Sequence, residues 1–590
     1  MTTAWRFPHI LGRLLFLAVV LTACAGQPEH FWIKAPGWSR AQLVGNTRVG
    51  DPVPIAYDDQ GQLYIFLISA RDEVAHLRVI SFDRHGEVVW DRTYEEITLT
   101  VPKKPQILWD GELLQLFWIN HNGLYSAMLD TSGNLLSPPN LLSGETIVDH
   151  FDVTSNSSGS IAVWYAGSQD DPGIYALPPG DLTDAATLID PEGIMPDLQY
   201  DEAGTLHAIW ARYPPGGGEK PFLYAAYPDS AYPAGRESIV AALRVIGTTG
   251  IEGPHLGLDN EHVYIFWSKI LYSGLEAGTA KTYYVYFQKG RHATVSADQQ
   301  LLVPYSYDLT YQVFPTSDLK AGERVSLDSE SFGGSNYITE VKANPADEEE
   351  LVIVLSTRQG YLMRKTKPQV SAVFFQDGHP ISYQQLSFTP SSSSSPAIIS
   401  DEQGQLYLTW LEKGELPGWA IYFASTDPEV GAALSDLTLD DLGRLTAEIL
   451  FGLLSGAALI MVVLAWALPA FIVLVLTSRI RGGAERLTSP GVMISLILAF
   501  LIYYISKVGI LPGMLNYLPF SAWIPVTPSW LKTPLQLGVP LVSAGLALLA
   551  AWNFTYRERE RSIFFFVAIF AIVDGFITMA VYGVLVYAAF

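Results

Sequence analysis

The 590-residue chain contains a single cysteine and is short of basic residues. With one thiol no intramolecular disulfide can form, so burial of apolar side chains must hold any exported domain together. The 36 lysines and arginines are outnumbered by 59 aspartates and glutamates, which gives a formal net charge of −23. Because a negative field repels phosphate groups, this composition argues against nucleic acid as a partner.

Several motifs of catalytic and metal chemistry are also missing. The sequence has no glycine-rich phosphate loop, no helix with paired metal-binding histidines, no Gly-x-Ser-x-Gly turn and no EF-hand loop. The acidic run at residues 347–350 places its carboxylates consecutively, whereas a calcium loop staggers them, so we interpret it as a solvated turn. The sequence therefore predicts no catalytic residue, no metal ligand and no cofactor, and it favours a binding protein over an enzyme.

Charge divides the chain near residue 443. The nine basic and five acidic residues beyond that point give the C-terminal part a net charge of +4, which leaves −27 for the part before it. The excess of acid thus belongs to the N-terminal part, and a field of that sign helps to keep a surface domain soluble.

Cys24 follows a segment with the layout of an export signal. Arg6 and Arg13 supply positive charge ahead of a short apolar core, and a small residue stands directly before the cysteine. The sequence Leu-Thr-Ala-Cys at residues 21–24 resembles the lipobox of bacterial lipoproteins. The resemblance implies that residues 1–23 are removed as a signal peptide and that Cys24 carries the lipid. An ordinary signal peptide with a chance cysteine is the alternative.

Four apolar segments in the last quarter of the chain are predicted to span a membrane. They cover about residues 449–478, 490–506, 535–553 and 562–588, and the first contains no charged residue. At a rise of ~1.5 Å per residue, the first is longer than the ~30 Å hydrocarbon core requires. Residues 431–448 are predicted to link this membrane domain to the N-terminal part.

Arginines in two short loops set the predicted orientation. Each loop contains three of them: Arg479, Arg481 and Arg486 in the first, Arg557, Arg559 and Arg561 in the third. The positive-inside rule places both loops in the cytoplasm. The large N-terminal domain and the C-terminus are then extracytoplasmic, as a lipidated cysteine requires. We therefore predict a multi-pass protein of the bacterial cytoplasmic membrane, with membrane lipid as a partner.

Asp574 is an acidic residue near the middle of the fourth span. A charge at this depth is costly unless a partner or water satisfies it. One hypothesis is a proton-linked or ligand-linked switch within the helix bundle, acting with a membrane partner protein. The other is a packing residue that is hydrogen-bonded by Tyr503, Tyr504 or Asn553.

A repeat lies between the signal and the spans, and its clearest copies are residues 196–210 and 396–410. Each copy runs from a proline through an Asp/Gly turn to an alternating apolar strand that ends in tryptophan, and another strand follows it. Units of roughly 45 to 60 residues with three or four strands have the size of propeller blades. We predict an all-β propeller over residues 24–430, with seven blades favoured over six or eight, and an array of β-sandwiches as the alternative.

The sequence also suggests how this ring closes. A divergent blade is expected between residues 300 and 395, and the serine run at residues 391–395 is interpreted as a flexible linker before the last blade. The last copy lacks an obvious fourth strand. Residues 30–44 could supply it, because closure with the chain's own beginning removes exposed sheet edges.

The element Asp-x-x-Gly-x-Leu-(His/Tyr)-x-x-Trp at residues 201–210 and 401–410 resembles the Asp-box of sialidase-type propellers. For an enzyme, the resemblance implies an arginine triad, a Tyr/Glu pair and an acid–base aspartate around the axis, none of which can be assigned in this sequence. His207 is interpreted as a half-buried strand residue. We therefore predict a membrane-anchored surface propeller that binds a glycan or an envelope protein, or acts as a scaffold. A tethered sialidase-like glycoside hydrolase is the alternative.

Overall fold

The structure is a computed structural model that describes residues 34–587 with gaps. The residues outside the description within that span are 72–73, 157, 168–171, 179–181, 183–184, 213–218, 229–231, 233–234, 245–248, 305–321, 328–334, 336, 346–348, 362–364, 390, 414–417, 436–438, 481–489, 516, 522, 524–528 and 558–561.

The described strands form seven antiparallel sheets that are arranged as the blades of a propeller. Blade 1 contains β2 (Ile55–Tyr57), β3 (Leu63–Arg71), β4 (Val74–Phe82) and β5 (Val88–Leu99). Blade 2 contains β6 (Pro102–Trp109), β7 (Leu114–Asn120), β8 (Gly123–Leu129) and β9 (Asn140–Leu141). Blade 3 contains β10 (His150–Ser155), β11 (Ile161–Ala166), β12 (Ile174–Leu177) and β13 (Thr187–Asp190). Blade 4 contains β14 (Gly193–Tyr200), β15 (Leu206–Arg212), β16 (Glu219–Tyr227) and β17 (Ser238–Arg244).

The remaining blades complete the ring. Blade 5 contains β18 (Thr249–Leu258), β19 (His262–Leu271), β20 (Thr279–Gln288) and β21 (Gln299–Gln300). Blade 6 has five strands, namely β22 (Val325–Ser326), β23 (Ile338–Ala343), β24 (Leu351–Tyr361), β25 (Lys365–Gln376) and β26 (His379–Gln385). Blade 7 contains β27 (Ser393–Ser400), β28 (Leu406–Lys413), β29 (Trp419–Ser425) and the N-terminal strand β1 (Gln42–Thr47). The prediction of a seven-bladed propeller is confirmed.

Closure by the beginning of the chain is confirmed, although the strand lies later than expected. β1 pairs antiparallel with β29, from Gln42 opposite Phe423 to Thr47 opposite Trp419. The expected segment, residues 30–44, overlaps β1 at three positions only. The interpretation of residues 391–395 as a flexible linker is wrong. β27 begins at Ser393, and the buried hydroxyl of Ser393 donates a hydrogen bond to Glu412 Oε1 at 3.0 Å.

The aspartates and tryptophans of the sequence repeat stabilise the turns and the contacts between blades, respectively. The turn aspartates accept backbone N–H groups two to four residues further along, as Asp401 does from Gln403 and Gln405. The tryptophans of the second strands are buried between blades, at positions 118, 164, 210, 267 and 410. His207 is buried, donates to Asp201 at 3.1 Å and accepts from the Tyr224 hydroxyl at 2.6 Å, in accordance with its interpretation as a strand residue.

The C-terminal region is helical. Its helices are α1 (Pro428–Ser435), α2 (Leu439–Ala458), α3 (Val463–Ile480), α4 (Pro490–Ile510), α5 (Ser529–Arg557), α6 (Ile563–Tyr582) and the short α7 (Val584–Tyr587), with 3₁₀ turns at Leu459–Val462 and Pro512–Leu515. Four stretches are long and apolar enough to cross a membrane, at Asp441–Ile480, Pro490–Ile510, Trp530–Thr555 and Ile563–Tyr582. The four apolar helices match the predicted fold class, and the segment predicted as a linker is helical wherever the structure describes it.

The topology gives the propeller two distinct faces. The turn after each blade's first strand, such as those at Asp110 and Asp401, lies on one face, which we call the turn face. The start of β1 pairs beside the end of β29, near the Asp401 turn, so the chain both enters and leaves the ring at the turn face. The first strands begin at the opposite face, which we call the open face.

Candidate functional site

The first strands of the blades surround the propeller axis. Each contacts the first strand of the next blade, and the ring closes between β27 and β2. Two layers of residues occupy equivalent positions of these strands beside the axis. The upper layer, nearer the open face, consists of Lys104, His150, Met195, Gly253, Glu340 and Ser395. The lower layer, two residues further along each strand, consists of Gln106, Asp152, Asp197, His255, Lys342 and Ala397.

A β-bulge recurs in five of these strands. The register of β6, β14, β18, β23 and β27 shifts against the second strand of the blade. At each shift one upper-layer residue has a positive φ, for example 49° at Lys104 and 55° at Glu340. A bulge twists its strand and redirects the adjacent side chains, and such bulges are often found beside functional sites. Here they determine which residues reach the axis.

Hydrogen bonds between first strands form a closed ring at this level. At six of the seven junctions, a side-chain oxygen of one blade accepts a hydrogen bond from a backbone N–H of the following blade. At the junction of blades 1 and 2, the oxygen belongs to the segment that leads into blade 1. The acceptor–donor pairs are Asp51 with Lys104 at 2.9 Å, Gln106 with Val153 at 3.2 Å, Asp152 with Leu198 at 2.6 Å, Asp197 with Leu256 at 3.0 Å, Glu252 with Glu340 at 2.9 Å and Glu340 with Ser395 at 2.8 Å. The Ser395 hydroxyl completes the ring by donating to the Gly50 carbonyl at 2.8 Å.

Asp152 and Asp197 occupy the centre of this arrangement. Asp152 uses its second oxygen to accept the Gln106 amide at 3.1 Å, and Asp197 uses its second oxygen to accept His255 Nδ1 at 3.0 Å. Burial, reinforced by the neighbouring Asp197 carboxylate, raises the pKa of Asp152 to about 7. Burial acts to raise the pKa of Asp197 too, but the hydrogen bond from His255 and the charge of Lys342 outweigh it and lower that pKa. The pair therefore contains one readily protonated acid and one carboxylate.

Lys104, His150 and Glu340 are the ionisable residues of the upper layer. The Lys104 ammonium donates to His150 Nδ1 at 2.5 Å, and burial, assisted by Lys104, lowers the pKa of His150 to about 3. Burial also lowers the pKa of Lys104, to about 8. In blade 6, burial raises the pKa of Glu340 to about 7, and the nearby Glu252 carboxylate adds to this rise. These side chains are half-buried.

The arrangement differs from the one implied by the resemblance to sialidases. Neither axial layer contains an arginine. Arg78 and Arg212 pair with Asp91 and Asp190. An arginine triad around the axis is therefore absent from both layers.

A concave region lies on the turn face between blades 1 and 7. It is a cavity of about 390 Å³, and its lining includes six acidic side chains, those of Asp58, Asp59, Asp401, Glu402, Asp427 and Glu429. Asp58, Asp401 and Asp427 accept backbone N–H groups of their own turns, so turn geometry already accounts for them. No group of three potential metal ligands is found among the described residues.

In the helical region, Asp574 is fully buried between three helices. Its Oδ2 accepts hydrogen bonds from the Tyr503 hydroxyl at 2.8 Å and from the Lys507 ammonium at 2.7 Å, and its Oδ1 accepts from Ser543 at 3.0 Å. Of the three partners expected from the sequence, only Tyr503 binds it. The Tyr504 hydroxyl has no partner among the described residues, and Asn553 is exposed.

Two signals in the sequence point to residues that were not predicted. Lys507 lies one helical turn after Tyr503, just beyond the predicted end of the second span at residue 506, whereas α4 continues to Ile510. The lower-layer residues Gln106, Asp197 and His255 each stand four positions before a turn aspartate. Cys24 lies outside the described residues, as do Arg481, Arg486, Arg559 and Arg561.

No family model matches this chain, and no curated protein matches it by sequence. Among solved structures, it is similar to the polysaccharide lyase Uly1, with 9% identity and a TM-score of 0.42 over 65% of this chain and 90% of that chain. A PL25 ulvan lyase gives 10% identity and a TM-score of 0.42 over 65% and 95%. An α-L-arabinanase of Penicillium chrysogenum complexed with arabinobiose gives 13% identity and a TM-score of 0.29 over 46% and 80%. At these values the similarity carries no information on ligand or activity.

Proposed function

We propose that this protein is a membrane-anchored propeller that binds a glycan at the open-face end of its axis. The observation that carries the proposal is the set of half-buried polar side chains that blades 2 to 6 place in the two axial layers. Because the chain enters and leaves at the turn face, the axial site faces away from both connections. That is the accessible side for a ligand outside the cell.

The chemistry of the axis suits a polyhydroxylated ligand. Sugar hydroxyls both donate and accept hydrogen bonds, and the axis offers ammonium and amide donors beside carboxylate and imidazole acceptors. A few convergent polar groups in a recess are typical of small-molecule sites. An envelope protein that inserts a polar loop is the other ligand class that such a recess could take.

The bonding of the central carboxylates favours binding over catalysis. A nucleophile or general acid must reach the reacting atoms of its substrate with a free lone pair or proton. Both oxygens of Asp152 and both oxygens of Asp197 already accept hydrogen bonds within the ring. Their first task is to join blades, and the ligand meets the side chains around them.

The cellular setting is also a proposal. The four apolar helices support a multi-pass membrane protein. We infer that Cys24 is lipidated, that the arginine-rich loops are cytoplasmic, and that the propeller stands outside the bacterial cytoplasmic membrane.

The test uses the full chain in lipid nanodiscs on a glycan array, followed by calorimetric titration of the best ligand. Lys342→Met removes an axial ammonium, and Lys281→Met is the matched control, because Lys281 pairs with Glu276 away from the axis. We expect Lys342→Met to weaken binding about tenfold and the control to bind like the parent. Equal loss in both variants, or absence of any glycan ligand, would rule out the axial glycan site.

A glycoside hydrolase is the second candidate, and one observation favours it. The pKa of Asp152 is raised and that of Asp197 is lowered, and catalytic acid–base pairs show the same separation. Release of new reducing ends from an array ligand, abolished by Asp152→Asn and retained by Lys281→Met, would establish catalysis.

A further inference from the structure

Tyr272 is an aromatic residue whose ring is open to solvent at the open face. It directly follows β19, on the hairpin that leads to β20, and is 68% exposed. Two other tyrosines of blades 5 and 6 have a cation over the ring. Lys269 lies 4.8 Å from the ring centroid of Tyr283, and Arg358 lies 4.9 Å from that of Tyr337. Among the described residues, no aromatic ring and no cation covers Tyr272, so its apolar surface is available to a ligand.

A glycine of the first strand of blade 5 determines where this ring lies. A Cβ atom at Gly250 would lie 2.7 Å from the Tyr272 hydroxyl oxygen and 2.8 Å from Tyr272 Cε2. The hydroxyl end of the ring therefore occupies the space that any other residue at position 250 would need. Gly250 stands opposite Ile270 in the ladder between β18 and β19, one pair from its open-face end. A side chain that already rests on a strand loses little conformational freedom when a ligand binds to it.

The Tyr272 ring lies next to the axial layers, on the side of blade 5 that faces blade 6. Positions 250 and 252 of β18 point to the same side, because side chains alternate along a strand. Glu252 is half-buried and accepts the backbone N–H of Glu340, an upper-layer residue of blade 6, at 2.9 Å. At ~3.3 Å per residue, Gly250 lies ~7 Å nearer the open face than Glu252. A single sugar unit is long enough to reach from the ring to the polar groups of the upper layer.

We propose that Tyr272 is a stacking subsite of the axial glycan site and holds a pyranose ring by its apolar face. This inference rests on the proposed function, since it specifies how the glycan is held and which class of sugar fits. A pyranose with equatorial hydroxyls has C–H groups on its faces and hydroxyls around its rim. The C–H groups can lie on the tyrosine ring, whose faces carry the negative part of the aromatic quadrupole.

The polar groups beside the ring suit the rim of such a sugar. The Glu252 carboxylate can accept sugar hydroxyls, while the ring covers one face of the sugar. An open-chain polyol has similar hydroxyls but no apolar face, so stacking discriminates against it. A pyranose with several axial hydroxyls is also disfavoured, because a hydroxyl pressed against the ring loses its hydrogen bonds to water.

The experiment uses cellotetraose and chitotetraose as pyranose probes and sorbitol as the open-chain control. Each is titrated by calorimetry into the full chain in nanodiscs. We expect a tetraose to bind more tightly than sorbitol and Tyr272→Ala to weaken its binding about tenfold. Tyr272→Phe should bind like the parent, because it keeps the ring and removes only the hydroxyl. Leu275→Ala is the matched control, because it removes a fully exposed apolar side chain from the same hairpin.

Gly250→Ala tests the position of the ring without removing it. The backbone of Gly250 is not left-handed, and the added methyl group meets the far end of a side chain that can swing away. We expect this variant to weaken tetraose binding, and Gly250→Ala combined with Tyr272→Ala to bind like Tyr272→Ala alone. Ligand-observed NMR gives a direct readout, because the ring current of a stacked aromatic ring shifts the sugar C–H protons upfield. The shift should occur with the parent and Tyr272→Phe and be lost with Tyr272→Ala.

The outcomes separate this inference from the proposal on which it rests. Parental affinity in Tyr272→Ala, an equal loss in Leu275→Ala, or binding of sorbitol as tight as that of the tetraoses overturns the stacking subsite while glycan binding stands. Binding of neither tetraose also overturns the subsite, and the absence of any glycan ligand on the array overturns the proposed function with it. Thermal melts of every variant establish that a lost affinity does not come from unfolding.

Discussion

At the scale of single residues, the environment of Asp152 couples the joining of two blades to pH. Asp152 accepts the N–H of Leu198 and thereby joins blades 3 and 4, yet it also stands beside a second acid. Two adjacent acids in a half-buried place cannot both ionise cheaply, so one of them holds its proton to higher pH. The ring of blade junctions is therefore sensitive to pH.

The sign of that sensitivity can be worked out for Asp152. Its folded pKa of about 7 exceeds the ordinary value near 3.9, so the folded state holds the proton more tightly than the unfolded state does. Stability from this group is complete below about pH 4 and is lost as the pH rises toward 7. We expect Asp152→Asn to be more stable relative to the parent at pH 8 than at pH 5, by about 2 kcal/mol.

Thermal melts of the full chain at both pH values measure this difference. Glu340, whose pKa is also about 7, contributes with the same sign, so Glu340→Gln should show the same trend. The opposing effect of His150 is common to parent and variants and cancels in the comparison. A difference between Asp152→Asn and the parent that does not change with pH would contradict the raised pKa.

Asp574 and Lys507 form a buried ion pair within the helical region. Removal of one partner leaves an uncompensated charge in an apolar place, whereas removal of both leaves none. We expect Lys507→Met to destabilise the helices by about 3 kcal/mol and Lys507→Met with Asp574→Asn to recover most of the loss. Unfolding of the purified protein in mixed micelles measures both. Additive effects of the two substitutions would show that the pair is not coupled.

At the scale of elements, glycines set the distance between α2 and α6. A Cβ atom at Gly456 would lie 2.2 Å from the Met579 carbonyl oxygen, and one at Gly583 would lie 2.4 Å from Gly456 Cα. Close approach of helix backbones through small residues is a common way to associate helices in membranes. This contact anchors α2, the helix that follows the propeller, against α6.

Gly456→Ala should therefore separate these helices. The added methyl group meets backbone atoms that cannot turn away, so we expect a loss of about 2 kcal/mol or more in the same micelle unfolding assay. Gly545→Ala in α5 is the matched control, because nothing lies within 4 Å of the added atom there. That control should be neutral or slightly stabilising, since alanine is the better helix former. Equal behaviour of the two variants would mean that α2 and α6 do not touch as described.

At this scale, local residue types determine which features could be predicted from the sequence. The Asp/Gly turns and the tryptophans of the second strands follow from local residue types, and the sequence reveals them. The bulges depend on a positive φ at residues such as Lys104 and Glu340, which no local rule favours, so the axial layers stayed hidden. Composition suggested a linker at the serine run, but burial of Ser393 against Glu412 overrides it. The long apolar helices match the predicted spans in number because apolar length decides both. Lys507 was not predicted, because a partner on another helix makes its burial tolerable.

At the scale of the whole molecule, the propeller and the helices are joined at one face. α1 follows β29 directly and packs Val430 against blades 1 and 7. Arg40, which precedes β1, pairs with Asp441 of α2 at 2.8 Å. The two ends of the ring are thus tied to each other as well as to the helices, and the turn face is the side on which the chain continues into the helical region.

This geometry predicts unequal access to the two faces when the protein is in a bilayer. Leu275 is fully exposed on the hairpin between β19 and β20 at the open face, and Gln403 lies in the Asp401 turn at the turn face. A cysteine placed at Leu275 should react rapidly with a bulky polyethylene-glycol maleimide in proteoliposomes, whereas one placed at Gln403 should react slowly, because the bilayer and α1 restrict large reagents there. In detergent without a bilayer the difference should narrow, and a small maleimide should label both positions in either setting. Equal rates for the bulky reagent in proteoliposomes would mean that the ring stands away from the membrane, and the axial site would then have no preferred side for its ligand.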